Sequence, residues 1–245
     1  MQQYFANVPL AAGKPYFFTK EQAHHASDVV RLHEETVRLV YEGKAWFART
    51  ARVDGKFAAI VEKEDPQIHE CACEMTLCMA LIRREKFELV LQKASEIGFS
   101  RVVPFVSSRC VVREKQDKKE RVAARWQTIL LEGAQQCKRN IVPELAETIP
   151  FDHLDRVQAE LKAAAYENAY STSARLSHLY HGQKSAAVVI GPEGGFSPDE
   201  VQWLMDHGYQ AVTLGSRILR AETAAIYAGS VLSEAAGDQN EVFSM

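Results

Sequence analysis

The hydrophobic positions of this chain change rhythm once along its length. In about the first 65 residues, short apolar runs alternate with turns: Tyr16-Phe17-Phe18, Val37 to Tyr41, Ala45 to Val53 and Phe57 to Val61, with a helical-looking stretch from Glu21 to Leu32. Alternation bounded by turn residues predicts strands, and the hairpin signals are Tyr41-Glu42-Gly43-Lys44 and Asp54-Gly55, the second a strong two-residue turn. Glu62-Lys63-Glu64-Asp65-Pro66 then breaks the pattern with charge and a proline, which marks a domain boundary. The expected division is a small β-rich module over 1–70 and a second domain over 71–245.

From Met75 onward the pattern becomes apolar run, helical stripe, apolar run, as in strands joined by helices around a parallel sheet. Met75 to Ile82 predicts a strand. Glu85 to Ile97 places Phe87, Val90, Leu91, Ala94 and Ile97 on one helical stripe before a stop at Gly98. Arg101 to Val106 is the next strand and Lys119 to Cys137 a longer helix. Then come an apolar Ile141 to Leu145, an acidic helix-like 152–162 and a strand near Ala163 to Tyr166. Ala186 to Ile190 predicts a buried strand running into Gly191-Pro192-Glu193-Gly194-Gly195-Phe196. A helix opens after it, with Ser197 as N-cap, Pro198 at its first position and Glu200 as the capping-box partner. Gly208 stops that helix, Ala211 to Leu214 is another strand ending at Gly215, and a last helix starts near Thr223.

Composition narrows the class. With 47% hydrophobic and 25% charged residues the chain can bury a sizeable core. No apolar stretch approaches the roughly 20 residues of a membrane span, and the first residues lack a basic segment followed by an apolar one. A cytoplasmic location, with no membrane attachment, is expected. The net charge of -3 argues against coating nucleic acid by bulk electrostatics but leaves room for a local basic face. The five cysteines lack zinc-finger spacing and suit reduced thiols. His69-Glu70-Cys71-Ala72-Cys73 has the alternation of a metal-binding strand, but the same face continues through Met75, Leu77 and Met79, so the sulfurs read as core and no metal is expected.

Two strands consecutive in the sequence thus deliver glycine loops to one edge of a parallel sheet, where ligands bind beyond the carboxyl ends of the strands. Gly-Pro-Glu-Gly-Gly is neither the dinucleotide fingerprint nor a P-loop, and Glu193 repels a pyrophosphate. A phosphate-free ligand carrying positive charge suits it better. On these residues alone, a simple strand-to-helix turn is an equal alternative.

Ile190 to Gly195 together with Leu214 to Ala224 closely resembles the paired motif of the ribosomal RNA small subunit methyltransferase E family. Gln135-Gln136-Cys137-Lys138-Arg139-Asn140 and Lys93-Ala94-Ser95-Glu96-Ile97-Gly98 match two further blocks, and the likeness extends to Tyr4-Phe5 and to Ala23-His24-His25 through Arg31-Leu32. Glu35-Thr36 departs from the family's usual Gly-Asp, and Ser216 from a usual proline. The resemblance implies an α/β fold: a SPOUT-type knotted parallel-sheet methyltransferase domain with a small N-terminal PUA-like β-barrel. It also implies S-adenosyl-L-methionine as donor, N3 of a uridine in the 16S rRNA of the small ribosomal subunit as acceptor, and a homodimer. Nothing in the pattern itself predicts a knot.

On this footing the donor site is expected at Gly191, Pro192, Glu193, Gly194, Gly195, Leu214, Gly215, Leu219, Arg220, Thr223 and Ala224. Glycine lets the main chain approach the donor closely, and the leucines give apolar walls. Methylation at N3 requires loss of the imide proton and stabilisation of the anion. Arg220 is the cation candidate, unless it is simply paired with Glu222; Glu222 or Glu193 is the base candidate, if burial raises its pKa. Arg139, with Asn140, either orients the base, lines a dimer seam or caps structure. RNA contacts are expected from Arg31, Lys44, Arg49 and Arg52 in the first module and from Arg83, Arg84, Arg109, Arg113 and Lys138 in the second, the alternative being ordinary solvated charge. Ala224, Ala225, Ala228 and Gly229 form a small-residue face that packs either a second copy or the chain's own core. A ribose 2'-hydroxyl methyltransferase and a non-catalytic RNA-binding assembly factor remain as alternatives.

Overall fold

Two tight turns set the first sheet. In the computed structural model, which describes residues 1–112, 119–166 and 174–239, Glu42, Gly43, Asp54 and Gly55 have φ of 46°, 78°, 50° and 75°. That is the left-handed backbone a two-residue hairpin needs to match the twist of its strands. The hairpins join β3 (Thr36–Tyr41), β4 (Lys44–Val53) and β5 (Lys56–Asp65), with β1 (Gln3–Phe5) parallel to β3 and β2 (Pro15–Phe17) antiparallel to β5. The strand order is β1-β3-β4-β5-β2. Helix α1 (Lys20–His24) begins in a capping box between Thr19 and Gln22 and continues as a π-turn over His25–Val29. The helical pattern extends to Leu32 in the sequence, but Arg31 takes φ 61° and ends the winding before it.

Strand β5 runs on through Glu62–Asp65, where the sequence predicts a break. Asp65 explains the difference: it is buried, and its Oδ2 accepts from Arg38 Nε at 2.7 Å. The remaining guanidinium donors of Arg38 reach Gln3 Oε1 (2.8 Å), the carbonyls of Lys138 (2.9 Å) and Gln67 (3.0 Å), and Asn140 Oδ1 (3.0 Å). Arg38 is thereby satisfied at all five N–H bonds, as a fully buried guanidinium must be. Glu70 repeats the device, accepting from Arg139 and from the backbone N–H groups of Asn140 and Ile141. Met1–Glu70 and Ala134–Ile141 accordingly form one compact unit; Cys71–Gly133 and Val142–Met245 form the other.

The second unit is built on β6 (Glu74–Ala80), α2 (Arg84–Ile97), β7 (Arg101–Val106), α3 (Lys119–Gln136) as far as Gly133, β8 (Glu144–Leu145), β9 (Ile149–Pro150), β10 (Leu161–Ala165), β11 (Ser185–Ile190), α4 (Pro198–Asp206), β12 (Gln210–Val212) and α5 (Ala221–Ala236). Every strand pairing is parallel, in the order β12-β10-β11-β6-β7-β8 with β9 also along β7. A parallel sheet covered on both faces buries both sets of side chains, and Leu77, Cys78, Met79, Val188 and Val189 are all inaccessible. Burial pushes the thiol of Cys73 up to about 11 and that of Cys78 up to about 12, so these cysteines behave as small apolar groups. The acidic stretch predicted as a helix forms only a 3-10 turn, Phe151–Arg156, because Phe151 is held against Phe105, Phe196 and Trp203 and the chain must then enter β10 at Leu161.

Helix α5 starts at Ala221, which puts Glu222 in its first turn. Its small-residue face packs within the chain: Ala224, Ala225, Ala228 and Gly229 are buried, and α5 lies on α2, β6 and β11. A Cβ on Gly229 would stand 2.4 Å from the Phe99 ring.

Candidate active site

Strands β11 and β12 follow one another along the chain but are separated in the sheet by β10. The two glycine loops that leave them therefore flank the carboxyl end of β10, and a cavity of about 560 Å³ opens there, with Ala165 and Tyr166 in its lining. This is the expected location for a ligand in an open parallel sheet.

The loop after β11 is fixed from several directions. Gly195 takes φ 64° and its N–H donates to the Pro192 carbonyl at 2.9 Å, closing a tight turn. A Cβ on Gly191 would come within 3.1 Å of the Phe196 ring, and one on Gly194 within 3.2 Å of the Arg109 side chain. Arg109 donates to the carbonyls of Gly194 (3.0 Å) and Phe196 (3.2 Å). Glu200 accepts from Ser197 N with one carboxylate oxygen, completing the predicted capping box, and from Ser108 N with the other, both at 2.9 Å. The segment around Ser108 is thus stapled to the glycine loop.

The second loop turns at Gly215, φ 119°, where Thr213 Oγ1 accepts from the Gly215 N–H and donates to its carbonyl. Leu214 and Leu219 are half-buried against the core, while Ile218 at the mouth is 78% exposed. Glu222, 7% exposed, accepts a hydrogen bond from Lys86 Nζ of α2. Burial alone would raise the pKa of this carboxyl, but the hydrogen bond from Lys86, the backbone N–H at the helix start and the charges of Lys86 and Arg220 outweigh it and hold the pKa below the ordinary range. Glu222 is therefore a fixed anion.

Of the expected donor residues, Gly191, Pro192, Glu193, Gly195, Leu214, Gly215, Leu219, Arg220 and Ala224 line the cavity; Gly194 and Thr223 do not. Glu193 accepts from the Arg83 backbone N–H at 3.2 Å. Arg220 and Glu222 both face this cavity, whereas Arg139 belongs to the first unit, where it is buried and holds Glu70. Among the expected RNA contacts, Arg83 lines the cavity, Arg109 supports the glycine loop, and Arg84 pairs with Glu88 one helical turn on. Arg31, Lys44, Arg49 and Arg52 are exposed on the first unit, Arg49 beside Glu62 at 3.1 Å. Lys138 has φ 68°, donates to the Gln135 carbonyl, and has its pKa lowered by burial and by the neighbouring charge of Arg38. Arg113 lies outside the described residues.

Lys86 is the site residue that no local pattern announces. Its one signal is a cation in the first turn of a helix, a position the helix dipole disfavours. The cavity wall carries four cations, Arg83, Lys86, Arg217 and Arg220, against two carboxylates, Glu193 and Glu222. It can hold an apolar body against the leucines and also receive negative charge. Among the described residues no three His, Cys, Asp or Glu side chains come together as metal ligands.

A profile described as an RNA methyltransferase domain matches residues 69–233. The chain is 32% identical over 202 residues to ribosomal RNA small subunit methyltransferase E of Mesomycoplasma hyopneumoniae, covering 81% of this chain and 85% of that one. It is 30% identical over 249 residues to the protein of the same name from Bacillus subtilis, covering 95% and 96%. The crystal structure of a ribosomal RNA small subunit methyltransferase E from Neisseria gonorrhoeae bound to S-adenosyl methionine superposes with a TM-score of 0.87 at 27% identity, over 96% of this chain and 97% of that one.

Proposed function

We infer, since the chain belongs to the RNA methyltransferase domain family, that it methylates N3 of a uridine in 16S ribosomal RNA with S-adenosyl-L-methionine as donor. The observation that carries this reading is the cavity between the two glycine loops, lined by Arg220 and by the Lys86–Glu222 pair. Its volume of about 560 Å³ is in the range of cofactor sites. The residues fit such a donor: Gly215, with nothing within 4 Å of an added Cβ, keeps the main chain open to close approach, Leu214 and Leu219 give apolar walls, and Glu193 and Glu222 supply negative charge. When bound, S-adenosyl-L-methionine supplies a methyl group on positively charged sulfur, and transfer leaves the electron pair of the broken S–C bond on that sulfur.

Arg220, always protonated, offers a cation to a uracil oxygen as charge develops on the ring. Glu222, whose pKa is lowered by its hydrogen bond from Lys86 and the nearby cations, is too weak a base for the imide proton and acts as an anchor. The second unit is read as a knotted SPOUT domain. In support, α5 leaves the edge strand β12 yet packs on α2, β6 and β11, so the chain doubles back to the middle of its sheet. The first unit is read as a PUA-like barrel that holds RNA through Arg31, Lys44, Arg49 and Arg52, all exposed. The protein is read as a homodimer, and the exposure of Val111, Ile218 and Tyr227 supports a surface that a second copy covers. Action on ribosomal RNA implies the cytoplasm, and among the described residues no helix is long and apolar enough to cross a membrane.

Replacing Arg220 with Ala tests the central assignment. The expected result is a loss of about 100-fold or more in single-turnover methylation, with donor affinity by calorimetry changed only a few-fold. Equal loss in both would assign Arg220 to donor binding. Mass mapping of 16S rRNA from a strain lacking the protein should show one uridine without its N3 methyl group.

A further inference from the structure

Lys86 keeps donor capacity beyond its bond to Glu222. It occupies the first turn of α2, where a cation opposes the helix dipole. Its partner Glu222 is buried in the first turn of α5, where an anion is favoured, so Glu222 has support besides Lys86. An ammonium group carries three N–H donors. Among the described residues only Glu222 takes one from Lys86, whose side chain remains 33% exposed on the cavity wall.

The acceptor chemistry asks for such a group. The imide proton of uracil must leave before N3 can act as a nucleophile, and the charge then spreads over N3 and the two flanking carbonyl oxygens. The other charged and titratable groups lining the cavity are Arg83, Tyr166, Glu193, Arg217, Arg220 and Glu222. Glu222 is committed to Lys86 and Glu193 to the Arg83 N–H, so neither carboxylate has the cation-free apolar setting that would suit it to take this proton. The wall is instead rich in cations, which favours the anion over its protonated form.

Resting on the functional reading above, we propose that Lys86, aimed by Glu222, is a catalytic residue that donates a hydrogen bond to one carbonyl oxygen beside N3 of the acceptor base, while Arg220 serves the other. The N3–H bond breaks, the proton passes to solvent water or hydroxide, and the pair left on nitrogen becomes the nucleophile. The enzyme therefore lowers the pKa of the bound base and needs no carboxylate as general base.

The test compares the full-length wild type with Lys86→Met, Lys86→Arg and the double variant Lys86→Met/Glu222→Gln. The double variant removes the buried anion along with its partner, so folding is not burdened by an orphaned charge. Single-turnover methylation is followed against pH on RNA carrying uridine or the more acidic 5-fluorouridine at the target. Both Met variants should lose about 100-fold near neutral pH. The deficit should shrink as pH approaches the ionisation of the free imide, and should be smaller on 5-fluorouridine RNA; Lys86→Arg should retain most of the rate. Independently of turnover, wild-type binding of 5-fluorouridine RNA without donor should tighten several-fold as pH rises through the imide pKa, and Lys86→Met should lose that response. A pH-independent deficit accompanied by weaker donor binding would reduce Lys86 to a structural partner and overturn the proposal, as would wild-type rates in the double variant. If wild type itself places no methyl group on uridine N3, the functional reading fails, and that outcome is visible before any variant is compared.

Discussion

At Glu222 two effects oppose one another. Burial disfavours the charged carboxylate, whereas Lys86, the backbone N–H at the start of α5 and the nearby Arg220 favour it, and the second set wins. A carboxyl whose pKa is lowered on folding contributes stability that is complete above its unfolded value of about 4.3 and is lost as pH falls through the folded value. Glu222→Gln keeps the shape but not the charge. It should therefore be less stable than wild type by about 1.5–3 kcal/mol at pH 7, in line with one hydrogen bond to a charged group, and the gap should close as pH falls through the folded value. Urea unfolding at pH 7 and across the acid range checks this; a deficit that does not change with pH would mean that the charge contributes nothing. Glu222 and Arg220 are legible in the sequence because they belong to one contiguous motif. Lys86 is not, because its contact spans 136 residues and is made only when α2 and α5 pack together.

Among the elements, those set by local chemistry are the legible ones. The Glu42-Gly43 and Asp54-Gly55 turns and the Ser197/Glu200 capping box are written in adjacent residues and form as expected. The extension of β5 through Asp65 is hidden, since a charged segment reads as a break until Arg38 is found beneath it. Helix α5 shows the same division: its small residues are plain in the sequence, but what they pack against is not. The structure gives that face to the chain's own α2 and Phe99. Gly229→Ala would drive a methyl group into the buried Phe99 ring, 2.4 Å away. Overpacking of this kind costs about 1–3 kcal/mol, and for a chain of this size each kcal/mol lowers Tm by roughly 2–4 °C. Calorimetry of the variant should show that drop; an unchanged Tm would mean that the helix can shift without cost.

Across the whole molecule, the order of the parallel strands is the least legible feature, because the pairing of β10 between β11 and β12 has no local signal. The same holds for Ala134–Ile141, which joins Met1–Glu70 across a long stretch of sequence. A fragment of residues 1–70 would leave Arg38 without Lys138 and Asn140, and Glu70 without Arg139, Asn140 and Ile141. Breaking a buried ion pair costs about 3–5 kcal/mol, a large share of a small domain's stability. The fragment should show no cooperative unfolding transition, and attaching residues 134–141 through a flexible linker should restore one. A cooperative transition in 1–70 alone would show the Glu70–Arg139 pair and the Arg38 bonds to Lys138 and Asn140 to be dispensable.

The buried contacts that join these two stretches also bear on how the protein is made. Met1–Glu70 is translated before Ala134–Ile141, so two acceptors of Arg38 and the cation that pairs with Glu70 are added only after a long further stretch. At roughly 5–20 residues per second that wait lasts several seconds. During it Arg38 is already paired with Asp65 but lacks the Lys138 carbonyl and Asn140, Glu70 lacks Arg139, and the second unit's first strands are already emerging. The ordinary sequence, in which an N-terminal domain folds before its neighbour appears, is therefore closed to this chain.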